Sequence, residues 1–101
     1  MNIQKLMKQA QQAQAQMAAV QNELATLTVE ASAGGGMVKV VMTGDQNLKE
    51  LHIDPAAVDP EEVELLEDMI IAAISEASRM ASELAAKKME AVTGGMNLPG
   101  F

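Results

Sequence analysis

Apolar positions in the first quarter of the chain recur at Ile3, Leu6, Ala10, Ala13, Met17, Val20, Leu24 and Leu27, separated alternately by three and four residues. A mean spacing of about 3.5 is that of a coiled-coil seam, narrower than the stripe of a helix lying on a broad core. No Gly or Pro interrupts the stretch, and it is rich in Ala, Gln, Leu and Met, so the pattern predicts a helix over 3–27. The period then drops to two. Leu27, Val29, Ala31 and Ala33 alternate against Thr28, Glu30 and Ser32, which predicts a strand at about 28–33. Gly34-Gly35-Gly36 follows, then a second alternation over 37–43 in which Val38, Val40 and Met42 share one face. Gly44-Asp45 marks another reversal, with positive φ expected there and in the triple glycine. A third strand is expected at 48–53, with Lys49, Leu51 and Ile53 on one face and Glu50 and His52 on the other. Asp59-Pro60-Glu61-Glu62 carries the signals of a helix start: Asp59 as N-cap, Pro60 in the first helical position and Glu62 in the capping box. A helix over 60–91 follows, its apolar seam running through Val63, Leu66, Ile70, Ala73, Ala77, Met80 and Leu84. Leu65, Met69, Ile71 and Ile74 widen that seam in the first half, where the helix must cover the sheet. Residues 93–101 read as a flexible Gly/Pro tail after a single domain at 1–92.

The elements define an α+β fold: long helix, three-stranded antiparallel sheet, long helix. At 1.5 Å per residue the two helices are roughly 37 and 47 Å long. A compact chain of this size has a radius of gyration of only about 13 Å. Both helices must therefore project, and their seams call for a partner. A symmetric homodimer is the economical solution. The small sheet is expected at its centre, with Val38, Val40, Met42, Leu66, Ile70 and Ile74 at the interface.

Composition narrows the chemistry. There is no cysteine, so disulfides and thiolate metal sites are excluded, and a cytosolic protein is expected. The opening residues lack the charged-then-apolar pattern of a leader, and no run approaches the ~20 apolar residues of a membrane span. Phe101 is the sole aromatic residue, which disfavours the stacking platforms of single-strand binders. The net charge is −7, but its distribution is segregated. Lys5 and Lys8 are the only charged side chains before Glu23. Acid gathers at Asp59, Glu61, Glu62, Glu64, Glu67 and Asp68, and cations return at Arg79, Lys87 and Lys88.

The first helix enters the sheet and the last leaves it, so both groups of cations are expected at the distal end. Lys5, Lys8, Arg79, Lys87 and Lys88 are then candidates for gripping duplex DNA through its phosphates. The competing interpretation is ordinary solvated helix surface. The triple glycine lacks the Lys-Ser/Thr and helix of a P-loop, so it reads as a hairpin turn. His52 has no second His or Cys for a metal site and reads as a surface residue. The acidic cluster has no nucleophile or base beside it and is explained by helix capping and the helix dipole. No enzyme, cofactor or small-molecule substrate is indicated.

Several stretches together resemble the YbaB/EbfC family of bacterial nucleoid-associated proteins. They are Lys5-Leu6-Met7-Lys8-Gln9-Ala10, Gly35-Gly36-Met37-Val38-Lys39-Val40-Val41-Met42-Thr43-Gly44, Ile53-Asp54-Pro55, Asp68-Met69-Ile70-Ile71-Ala72-Ala73-Ile74-Ser75-Glu76-Ala77 and Gly94-Gly95-Met96-Asn97-Leu98-Pro99-Gly100-Phe101. The resemblance implies a tweezer-like homodimer that binds duplex DNA through projecting helices, associates with the nucleoid and influences gene expression. The alternative is a coiled-coil protein-interaction or chaperone-like module with little DNA affinity.

Overall fold

The computed structural model describes residues 2–96. Helix α1 spans Ile3–Thr26, strands β1, β2 and β3 span Thr28–Ala33, Val38–Thr43 and Leu48–Ile53, and helix α2 spans Val63–Met96. The strands form one antiparallel sheet in the order β1-β2-β3. This is the α+β arrangement expected from the pattern. The molecule measures 70 × 24 × 16 Å with a radius of gyration of 19.6 Å, far above the ~13 Å of a compact chain of this length.

The core lies where α2 crosses the sheet. Val38, Val40 and Met42 point from β2 onto Ala73, Ala77 and Ala81, and all six are buried. The alanines recur every four residues, so one smooth stripe of α2 lies on β2 with no long side chain to hold the backbones apart. Burial of each larger aliphatic side chain contributes roughly 1.5–3 kcal/mol. Val38, Val40 and Met42 therefore form the interior of the single subunit, not an open interface as the alternation alone suggests. Leu66, Ile70 and Ile74 are half-buried along the margin of the same core.

The turns distribute their duties differently from the sequence expectation. Gly34, Gly35 and Gly36 all have positive φ, as the triple glycine implies. At the β2–β3 turn, however, the positive φ falls on Gln46, at 72°, not on Gly44. Gln46 is held there by α2: its Nε2 donates to the Ser78 carbonyl and the Ser82 hydroxyl, and the Ser78 hydroxyl donates to its Oε1. Gly44 serves close approach instead. A Cβ there would lie 2.8 Å from Leu24 Cδ2 and 3.0 Å from Leu24 O, and the Gly44 amide donates to the carbonyls of both Leu24 and Leu27. The sheet grips the root of α1 at this point.

Two element boundaries shift. Asp59 caps a turn, accepting from the Glu61 amide, while Leu66 N donates to Glu62 O, so α2 begins at Val63, three residues beyond Pro60. Its far end passes through Gly94 and Gly95 to Met96, so the first residues of the expected tail are helical. Residues 97–101 of that tail lie outside the described residues. In β3 a bulge opposite Val41/Met42 brings Leu48, not Lys49, opposite Met42 on the apolar face.

Gly44→Ala should destabilise the fold by about 1–3 kcal/mol, because the added methyl meets a backbone oxygen that cannot swing away. Denaturant titration checks this, and an unchanged midpoint would show that the α1 root is loosely seated.

Candidate nucleic-acid interface and apolar trough

The cations fall into two groups once their neighbours are seen. Arg79 is clamped within α2: its Nε and Nη2 donate to Glu76 and its Nη1 donates to Glu83 at 2.6 Å. The hydrogen bond from Arg79 holds the Glu76 carboxyl below its ordinary value of 4.5, and Glu76 in turn raises Arg79 above its own. The Glu76 side of the clamp is therefore fully present above the ordinary Glu value of 4.5 and is lost as pH falls through the depressed Glu76 value. Lys88 is half-buried and donates to Glu23 of α1 at 2.7 Å. Lys5, Lys8 and Lys87 are exposed and make no ion pair among the described residues.

The structure also corrects where these groups sit. Because Lys88 pairs with Glu23, it lies at the root of α1, three residues from the helix end. Lys5 and Lys8 are 18 and 15 residues farther out along α1, or about 27 and 22 Å. The two groups do not share one tip. They occupy two levels of an arm whose residues 3–19 are exposed except for half-buried Ala13.

A second surface follows from widths. A helix is about 10 Å across and strands lie ~4.8 Å apart, so one helix covers two strands. Helix α2 packs on β1 and β2, and the apolar side of β3 is left open, with Leu48 and Leu51 more than 40% exposed. Ile71 belongs to the ridge Ile71–Ile74–Ser78 of α2, and Ser78 touches the β2–β3 turn, so this side of the helix looks towards β3. Ile71 is 62% exposed. By helix phase and strand register Ile70, Ile71 and Ile74 fall on the same side as Leu48, Leu51 and Ile53, which makes that side an open apolar trough. Glu67 shares its helix side, and Lys49 lies between its leucines, neither with an ion-pair partner among the described residues. Sequence reasoning names Ile70 and Ile74 but not Leu48, Leu51 or Ile71; for Leu48 the reason is the bulge, which resets the strand register. The Glu76-Arg79-Glu83 spacing of three and four is a readable sign of the clamp.

The opposite face of the sheet is polar, with Glu30, Ser32, Lys39, Val41, Glu50 and His52 around a shallow hollow. His52 stands 3.2 Å from Glu50 at an exposed position.

Comparison with known proteins gives this scaffold its context. The model of the YbaB/EbfC DNA-binding family matches residues 1–96. The chain belongs to this family. A nucleoid-associated protein of Moorella thermoacetica is 54% identical over 100 residues, covering 99% of this chain and 96% of that one. A nucleoid-associated protein of Granulibacter bethesdensis is 50% identical over 98 residues, covering 97% and 92%. Among solved structures, the uncharacterized protein HP0035 from Helicobacter pylori shares the fold with a TM-score of 0.77 at 20% identity, covering 86% of this chain and 91% of that one. The family is one of nucleoid-associated DNA-binding proteins rather than of enzymes. Among the described residues no helix is long and apolar enough to cross a membrane.

The clamp makes Arg79 and Lys8 separable. Lys8→Gln should lower the slope of log affinity for duplex DNA against log salt by about 0.9 for each phosphate that Lys8 neutralises, and Arg79→Gln should leave it unchanged. An equal fall of slope in both variants would mean that the clamp opens on the nucleic acid.

Proposed function

We propose that the protein is a nucleoid-associated homodimer that binds duplex DNA through phosphate contacts from its projecting arms, shaping nucleoid organisation and gene expression. The observation that carries this reading is the position of the unpaired cations. Lys5 and Lys8 near the end of the arm and Lys87 near its root have no neutralising carboxylate among the described residues, unlike Arg79 and Lys88. Cations held at two levels along an arm suit a polyanion that lies across it. Lysines on an exposed helix, with no aromatic residue near them, supply charge without base readout, so binding is weakly dependent on sequence and strongly dependent on salt.

The trough supports the dimer. Its exposed Leu48, Leu51 and Ile71 are continuous with the core margin at Ile70 and Ile74, and a second copy about a two-fold axis covers both troughs at once. Glu67 of one copy and Lys49 of the other are then available to each other. Val38, Val40 and Met42 support the interface from below without entering it. Catalysis has no place in this reading, and neither does a cofactor or a membrane.

Titration of a fluorescent duplex from low to physiological salt tests the reading. Saturable binding that weakens as salt rises is expected, and the triple variant Lys5→Glu, Lys8→Glu, Lys87→Glu should lose it while keeping its mass. No binding at low salt would overturn the DNA assignment. It would leave the exposed apolar side chains of α1, Ile3, Leu6, Met7 and Met17, as a protein-docking surface.

For the dimer, Leu51→Glu and Ile71→Glu should each shift the light-scattering mass from two chains to one and weaken duplex binding at least ten-fold. A mass of two chains in both variants would remove the trough from the interface.

A further inference from the structure

Among the described residues, helix α1 has its buried side chains in its C-terminal half. Val20 and Leu24 are its buried side chains, and the Gly44 amide fixes the carbonyls of Leu24 and Leu27. Outward from there the two helices leave an open groove bordered by Gln16, Ala19, Val20, Ala91 and Val92. Glu23 and Lys88 stand at the inner margin of this groove, joined at 2.7 Å. The other ion pairs among the described residues lie within α2 or within β3, whereas this one ties α1 to α2.

We infer that Glu23 and Lys88 form a strut that sets the angle of the DNA-binding arm, making Glu23 a positioning residue for the cations of α1 and Lys88 its anchor. The inference rests on the DNA-binding reading for its consequence, but the strut itself is a property of the free protein. Lever arithmetic explains its reach. Lys5 lies about 27 Å beyond Glu23 along the helix, so a rotation of about 10° at the root carries it about 5 Å, enough to part it from a phosphate. An exposed ion pair is weak in isolation. Here it stands within one turn of Val20 and Leu24, the two buried side chains of α1, and adds the one ion pair among the described residues that joins the two helices. Lys88 then acts on DNA through Glu23 and does not itself meet a phosphate.

Reversal of the pair separates this role from direct contact. The native chain has no cysteine, so spin labels can be placed at Gln9→Cys on α1 and Ala86→Cys on α2, with labelled protein diluted into unlabelled protein to isolate distances within one chain. Electron–electron dipolar spectroscopy should show the wild-type distance distribution broadened in Lys88→Glu, and duplex affinity should fall several-fold. The double reversal Glu23→Lys with Lys88→Glu should restore both. Lys88→Glu combined with the remote Glu61→Lys, which recovers the net charge but not the pair, should restore neither. A double reversal with the wild-type distance but weak binding would make Lys88 a phosphate contact and overturn the inference. So would a distance distribution that does not change in Lys88→Glu. Absence of duplex binding by the unmodified protein would instead remove the functional reading, while the distances still decide whether the strut exists.

Discussion

One helix is too narrow for three strands, and much of the molecule follows from that mismatch. Helix α2 can lie close on the sheet only because Ala73, Ala77 and Ala81 face it, which brings Val38, Val40 and Met42 into full burial. Close seating limits breadth, since small side chains do not reach sideways. Strand β3 is left with leucines in water, and α1, which does not lie on that open strand, has its buried side chains at Val20 and Leu24 near its last turns. The subunit core and the open trough are two outcomes of the same choice of small residues. Bulkier residues on the stripe would lift the helix, reach farther across the sheet and loosen the contact that orders β2.

The electrostatic character of the protein is local rather than global. A net charge of −7 suggests a molecule that polyanions avoid. Yet Lys8 lies 18 residues from the end of α1, so about 27 Å of helix separates it from the sheet. The acids that open α2 lie beyond that again in the fold. At physiological salt, interactions between exposed charges fade over about 8 Å. The arm therefore presents its own lysines to a ligand, with little influence from the acidic body. What matters more is the immediate neighbour of each cation, which is why Arg79 and Lys88 differ from Lys5, Lys8 and Lys87.

The fold class is legible because three different periods follow one another without ambiguity: a seam of three and four, a strict alternation between glycines, and a second seam. The family resemblance is carried by the glycine-bounded strand and stretches of both helices, together with Ile53-Asp54-Pro55 and the closing residues 94–101. What escapes sequence reasoning is anything set by two elements meeting. Asp59 and Pro60 carry all the marks of a helix start, yet the turn they form consumes the cap before α2 begins. Gly44 looks like a source of positive φ, but the approach of Leu24 is what demands a glycine there. Gln46 accepts the unfavourable backbone angle because Ser78 and Ser82, more than thirty residues away in the chain, bind its amide. Of the five candidate DNA-gripping cations, Lys88 gives no sign in the sequence of being occupied, since its partner Glu23 is 65 residues distant.

The exposure of α1 bears on what recognition involves thermodynamically. Most helical stability in proteins comes from packing of an apolar face rather than from intrinsic propensity. Among the described residues the buried side chains of α1 are Val20 and Leu24, and its outer turns draw on the intrinsic helix preferences of Ala, Gln, Leu and Met. A ligand that docks along the arm would supply packing that its outer turns lack. Contacts made along such a lightly supported helix favour tolerance of varied surfaces over a rigid, sequence-selective fit.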